Sequence, residues 1–291
     1  MASHFRGFAQ PRKTHAVWFC TQWHGLAWAR QSHLGEWAFG LRGLDVSDMQ
    51  TLRALAKLVR MLSWVLYTYW RIRTVFHKFG PEEHARAVEE WAQGMLSILG
   101  ITVLVQGEPS KGPVLMAANH ISWLDILVMH AACYCRFVAK AEIRAWPLLG
   151  VLTEGGGSLF IERTSNRDAM RVVHQMADAL VRGQVLAVFP EGGTGDGKTL
   201  LPFHGNLLQA AIVAQAPIQP IGLQFLEAQS GEISFAPCYR AEDTLLGSVW
   251  RTLCAPPLLA VVHYGKNEMA QGRSRREWAV DLRESIRRLI D

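Results

Sequence analysis

The chain has 291 residues, 49% of them apolar, enough to bury the core of one large domain or two small ones. Its formal net charge of +5 suits an anionic membrane surface or a phosphorylated substrate. It would also suit nucleic acid, but no recognition motif accompanies it, and the five cysteines lack the spacing of a disulfide framework.

Residues 1–48 carry Trp18, Trp23, Trp28 and Trp37 among histidines and glycines, with no sustained period. They read as a poorly ordered extension, or as sequence upstream of a start at Met49. No secretory signal peptide is evident in this stretch. From residue 50 to 79 the character changes. Arg53, Lys57, Arg60, Arg71, Arg73 and Lys78 face no acidic residue there, and only ten uncharged residues separate Arg60 from Arg71. That stretch is too short to span a bilayer. It predicts a helix lying in the interface, with Trp64, Tyr67, Tyr69 and Trp70 at the boundary. Packing on the protein core is the alternative. After Gly80 and Pro81, residues 82–98 place Ala85, Val88, Met95 and Leu99 at helical spacing. Residues 49–100 therefore predict a membrane-associated, amphipathic helical hairpin.

ITVLVQG at 101–107 is β-branched and predicts a strand, and Val114–Ala118 predicts a second, buried one. A helix is expected from near Ser122 through Cys135. RFVAK at 136–140 is a short strand ending at Lys140, and 143–150 is an apolar connector interrupted by Pro147. SLFIE at 158–162 is another strand. After Arg163, Met170, Val173, Ala177 and Leu180 recur at helical spacing until Gly183. QVLAVF, 184–189, is a buried strand leading into Pro190 and Glu191. Next come a helix over 205–215, a strand over 217–225 with prolines at its margins, an outer strand over 232–239 and an extended run over 257–265. A terminal helix carries Trp278, Leu282, Ile286 and Leu289 on one face. The alternation predicts an α/β fold over 101–291, a mixed central sheet flanked by helices. The lone CxC of Cys133 and Cys135 reads as a reduced, buried pair, which implies a reducing compartment.

The stretch VLMAANHISWLD, Val114–Asp125, delivers a histidine and an aspartate where a strand ends. On a continuous helix His120 and Asp125 would sit about 140° apart and could not touch. With His120 in the turn and a helix starting near Ser122, they can meet, and Ser122 and Asp125 form a capping box. Asp125 then holds one imidazole nitrogen while the other faces a hydroxyl. The residues alone also allow Asp125 as a plain cap with His120 filling the turn, or a metal site. Ser122 is a weaker candidate nucleophile, and the chain lacks a G-x-S-x-G elbow.

NHISWLD resembles the His-x4-Asp block of the glycerolipid acyltransferases, the family of 1-acylglycerol-3-phosphate acyltransferases. LFIER (Leu159–Arg163), VFPEGG (Val188–Gly193) and APIQPIG (Ala216–Gly222) follow in that family's order. The resemblance implies that His120 is a general base oriented by Asp125, with no acyl-enzyme. It implies that Arg163 holds an acceptor phosphate through its planar guanidinium; Lys140, basic and at a predicted strand end, is a weaker phosphate or pocket candidate. Glu191, Gly192, Gly193 and Thr194 would order the acceptor loop, whose backbone N–H groups suit an anion. Pro217 would line the acyl or donor pocket. Lys198 and His204 are weaker candidates. Gly193 stands where the familiar FPEGT pattern has threonine, and Thr194 follows one place later.

The implied reaction moves an acyl group from acyl-CoA or acyl-carrier protein to 1-acyl-sn-glycerol 3-phosphate, giving phosphatidic acid. It needs no metal and no resident cofactor. The expected partners are the lysophospholipid acceptor, the thioester donor and a membrane surface, at the cytoplasmic face of the inner membrane, with no nucleic acid. Another lyso-lipid, such as lyso-ornithine lipid, is the close alternative as acceptor. A metal-dependent phosphoesterase using His120, Asp125 and Glu191, and a noncatalytic lipid-binding protein, are the alternatives from other classes.

Overall fold

The computed structural model describes residues 46–161, 166–240 and 242–291. Most of the expected 1–48 extension lies outside them, and so does Arg163. Two long helices come first, α1 (Val46–Thr74) and α2 (Pro81–Leu99). Pro81 opens α2 because the first turn has no use for its missing N–H, and the Glu83 carboxylate accepts the Gly80 N–H at 3.0 Å. Gly100 ends the helix at φ 81°, a left-handed conformation that glycine adopts without strain. The helices meet at Trp64, whose Nε1 donates to the Trp91 carbonyl at 3.1 Å. Its ring fills the space over Gly94, where a Cβ would lie 2.6 Å away.

A seven-stranded sheet follows, built from β1 (Ile101–Gln106), β2 (Val114–Ala118), β3 (Arg136–Lys140), β4 (Leu159–Ile161), β5 (Val185–Val188), β6 (Ile218–Glu227) and β7 (Leu258–Tyr264). Its order is β1-β7-β6-β2-β5-β3-β4. Every neighbouring pair is parallel except β6–β7, so the sheet is mixed. The remaining helices are α3 (Leu124–Ala132), α4 (Leu149–Gly155), α5 (Asn166–Val181), α6 (Gln209–Ala214), α7 (Leu245–Cys254) and α8 (Arg275–Ile290).

Central β2 is buried at all five positions, because helices cover both faces of the sheet. Successive side chains alternate between those faces. Val114, Met116 and Ala118 join the cluster under α2 and α3. Leu115 and Ala117 join the cluster with Met176, Leu180, Trp278 and Leu282 from α5 and α8. Each fully buried Leu or Met side chain contributes about 1.5–3 kcal/mol, so the two clusters clamp β2 and fix where its end points.

Three local expectations change. The helix behind Asp125 stops at Ala132, and Cys133 is already extended. No outer strand forms over 232–239 beyond one bridge, Leu226 to Ile233. That stretch turns instead, and its backbone crosses to the end of β2. Pro220 lies inside β6 rather than at its margin. Its carbonyl accepts from Gly265, and the Gln219 side chain donates to the Gly265 carbonyl at 3.0 Å in place of the N–H that proline lacks.

Candidate active site

The site begins with an anchor. Asn119 follows β2, is 1% exposed and exchanges two hydrogen bonds with the backbone of Leu223 on β6. Its Nδ2 donates to the Leu223 carbonyl at 3.0 Å and its Oδ1 accepts the Leu223 N–H at 2.7 Å. A buried polar group satisfied on both ends pins the chain. His120 therefore leaves the sheet from a fixed point at the carboxyl end of β2, the edge where open α/β sheets bind ligands.

His120 and Asp125 then meet. Nδ1 lies 2.8 Å from Asp125 Oδ2. The same oxygen accepts the Ile121 N–H at 2.6 Å and the Ser122 N–H at 2.9 Å. The turn from 120 to 123 curls round the carboxylate, and α3 starts only at Leu124, one residue later than the capping-box reading placed it. Half of that box survives: Asp125 accepts from Ser122, but Ser122 Oγ accepts from Leu124 at 3.3 Å instead of from Asp125. Asp125 is fully buried in the first turn of α3, where the helix dipole favours a negative charge. Three donors converge on its Oδ2, while its buried Oδ1 has no partner among the described residues.

Because the carboxylate only accepts, Nδ1 carries the imidazole proton and Nε2 carries the lone pair. The His120 side chain is 19% exposed, and Nε2 has no hydrogen-bond partner among the described residues. A ring held by a buried carboxylate, with its basic nitrogen open, can take a proton from a hydroxyl brought to it.

The loop after β5 completes the surroundings. Glu191 is 5% exposed and bridges two backbones: Oε1 accepts the His120 N–H at 2.8 Å and Oε2 the Leu201 N–H at 2.9 Å. Burial raises its carboxyl above the usual range, partly offset by those two bonds. The His120 carbonyl accepts the Gly195 N–H at 2.8 Å, so both backbone polar groups of His120 are tied to this loop. Gly192 has φ 71° and lies against His204, whose Cδ2 would be 3.2 Å from an added Cβ. Gly193 has open space at the same position. Thr194 donates its hydroxyl to the Tyr239 carbonyl, and the Tyr239 N–H donates to the Ile121 carbonyl at 3.0 Å.

Thus Asp125, Glu191 and the 192–195 loop surround His120. Lys140 ends β3, exposed, with its backbone paired to Ile161. Pro217 is not brought into this group. Its carbonyl accepts from Leu115, near the start of β2, whereas His120 follows the end of that strand. Sequence reasoning missed Asn119, Phe189 and Tyr239. Asn119 was legible as the polar residue closing a wholly apolar strand, and Phe189 stood inside a quoted block. Nothing local marked Tyr239. Among the described residues no group of three or more His, Cys, Asp or Glu side chains is placed to hold a metal ion.

Residues 102–224 match the family profile described as Acyltransferase. The 1-acyl-sn-glycerol-3-phosphate acyltransferase of Neisseria meningitidis serogroup B is 34% identical over 239 residues, 81% of this chain and 92% of that protein. The lyso-ornithine lipid O-acyltransferase of Pseudomonas aeruginosa is 34% identical over 202 residues, 69% of this chain and 77% of that one. The fold is similar to the crystal structure of the 1-acyl-sn-glycerophosphate acyltransferase from Thermotoga maritima, with a TM-score of 0.63 and 16% identity, covering 84% of this chain and 95% of that one. Relatedness at this level, over nearly the whole length of the neisserial protein, establishes that the chain belongs to the glycerolipid acyltransferase family.

Proposed function

We propose that the protein transfers a fatty acyl group from acyl-CoA or acyl-carrier protein to the free hydroxyl of 1-acyl-sn-glycerol 3-phosphate, giving phosphatidic acid. The observation that carries this reading is the 2.8 Å contact between His120 Nδ1 and Asp125 Oδ2, which leaves Nε2 open. Nε2 takes the acceptor's proton as its oxygen attacks the thioester carbonyl. The tetrahedral centre then collapses, the C–S bond breaks, and the thiolate leaves with the proton held by His120. Asp125 orients the ring and stabilises the imidazolium formed on the way. The residues need no resident cofactor for these steps.

Glu191 acts here through the backbone of His120, since both of its oxygens already hold N–H groups. Gly192, Gly193 and Thr194 form the acceptor-side loop. Arg163 is assigned to the acceptor phosphate and Pro217 to the pocket wall on the family resemblance, and Lys140 to the phosphate or the pocket on its charge at the end of β3.

The acceptor works at a membrane surface in this reading, with residues 49–100 as the membrane-associated hairpin and 101–291 as the catalytic domain. The face of α1 supports it. At about 100° per residue, Ala54, Met61, Val65 and Thr68 turn toward the protein. Leu52, Leu55, Val59, Leu62, Leu66 and Trp70, all exposed, share one flank, while Arg53, Arg60 and Arg71 share the other. No helix among the described residues is long and apolar enough to cross a membrane. An apolar flank beside a basic one suits a helix lying in an anionic headgroup layer. The inner membrane's cytoplasmic face is the proposed location.

A second reading keeps the chemistry and changes the acceptor to lyso-ornithine lipid. The Pseudomonas relative favours it, and so does a loop in which Gly193 brings no hydroxyl and Thr194 has given its own to Tyr239. A matrix of lyso-lipid acceptors against both thioester carriers decides between them, with His120→Ala as the blank. The parent is expected to prefer lysophosphatidate, and the blank to lose at least about a hundredfold in turnover. A near-normal rate in the blank would sink the mechanism, and a preference for lyso-ornithine lipid would replace the acceptor.

A further inference from the structure

Behind the His120 imidazole stands a ring that none of the assigned roles uses. Phe189 lies parallel to it, with centroids 3.9 Å apart and planes 10° from parallel. Phe137 of β3 backs Phe189 in turn, at 5.6 Å and 16°. We propose that Phe189 is a positioning residue of the acyl-transfer site, which fixes the plane of the His120 ring and favours its protonated form. The proposal rests on the reading of His120 as the base.

The quadrupole argument gives the stack its direction. Two neutral aromatic rings prefer an offset or edge-on arrangement to close parallel faces, because each face is electron-rich. A cation over the same face is attracted. A nearly parallel contact at this distance is therefore weak for neutral imidazole and favourable for imidazolium, the state that exists only after the acceptor proton has moved. An interaction made only at that point accelerates the chemical step instead of tightening substrate binding.

The stack is also firmly held. Phe189 directly follows β5, whose last three residues are buried, and Phe137 is 4% exposed. Asp125 meets the ring from its Nδ1 edge, leaving one face to Phe189. Asp125 on α3 holds Nδ1, Glu191 after β5 holds the His120 backbone N–H, and neither contact is on the ring face that Phe189 covers.

The test is Phe189→Leu in the full-length protein, read in two ways. Turnover at saturating acceptor should fall about tenfold, the scale of a buried cation–π contact, with KM nearly unchanged. The midpoint of the His120 ring titration, followed by NMR on histidine-labelled protein, should fall by about one pH unit. Phe189→Trp should restore both. Phe189→Met is read in the same way if the leucine variant does not fold. An unchanged titration midpoint overturns the proposal, as does a loss confined to KM, or a leucine variant that stays fully active. A near-normal rate for His120→Ala would instead remove the base reading, and the titration would still measure the stack.

Discussion

A histidine stands on either side of α3, His120 in the turn before the helix and His130 in its last turn, and the two are treated differently. His120 has its Nδ1 on a buried carboxylate and its Nε2 without a partner among the described residues. His130, in the last turn, is 3% exposed, and its Nδ1 has no partner among the described residues. A cation near a helix C-terminus normally gains from the dipole. Here desolvation outweighs that gain: burial, then the nearby charge of His84, pushes His130 down to about 4. Tyr134 stacks against it at 6.0 Å and Phe137 meets it edge-on at 5.1 Å. Burial holds one imidazole neutral, while the other keeps a carboxylate partner and solvent access. The difference lies in solvent and partners, not in residue type.

The sharpest way to break this comparison is to change each end alone. Asp125→Asn keeps an oxygen for the three donors but removes the charge that favours imidazolium. Turnover is expected to fall about a hundredfold, the scale of a disabled proton-transfer group, with the fold intact by circular dichroism. His130→Leu removes a buried polar group that lacks a partner, so turnover should stay within about twofold and stability should hold or rise. Steady-state kinetics on both variants checks the pair. Equal losses would mean that the two ends of α3 are not functionally distinct.

A smaller effect concerns acid stability. His130 has a folded pKa of about 4, below its ordinary 6.5. Its neutral, buried state therefore contributes fully above about pH 6.5, and that contribution is lost as pH falls toward 4, because the unfolded chain takes up the proton first. Between pH 7 and pH 5 the expected loss is about 2 kcal/mol. Glu191 acts in the opposite sense. Its raised carboxyl favours the fold below about pH 4.5 and loses that contribution as pH rises through its folded value. Urea midpoints at the two pH values for the parent and for His130→Leu isolate the histidine, and identical pH dependence in the two would show that His130 is not the group responsible.

The same contrast explains what could be read in the chain beforehand. The meeting of His120 with Asp125 was legible because the five-residue step allows contact only if a turn comes first, and a capping pattern supplied that turn. The strands were legible because β2 and β5 are buried on both faces and read as apolar runs. Three contacts were not legible. Glu191 reaching the His120 N–H, Thr194 reaching Tyr239 and Phe189 covering the imidazole all join residues distant in sequence. Two of them end on backbone groups, which every residue carries and no pattern marks. The 232–239 stretch alternates like a strand, yet only Glu232 and Ser234 pair with β6, while the Ala236 and Cys238 carbonyls accept from Arg251 and the Tyr239 backbone is taken by Ile121 and Thr194.

The finest test falls on the 192–195 loop beside His120, proposed to meet the acceptor, where the chain departs from the family pattern. Gly193 has no positive φ, and a Cβ there would meet nothing within 4 Å, so Gly193→Thr should fold with stability changed by less than about 0.5 kcal/mol. It adds a free hydroxyl to the loop without disturbing Thr194, whose own hydroxyl holds Tyr239. An extra donor of this kind strengthens a phosphate contact by about 1 kcal/mol. KM for lysophosphatidate should therefore fall severalfold, while KM for lyso-ornithine lipid stays put. Thr194→Val is the converse: it frees the Tyr239 carbonyl and should cost about 1 kcal/mol of stability with no change in acceptor preference. If the glycine change moved both acceptors equally, this loop would be shaping the site without reading the headgroup, and discrimination would have to come from residues beyond it.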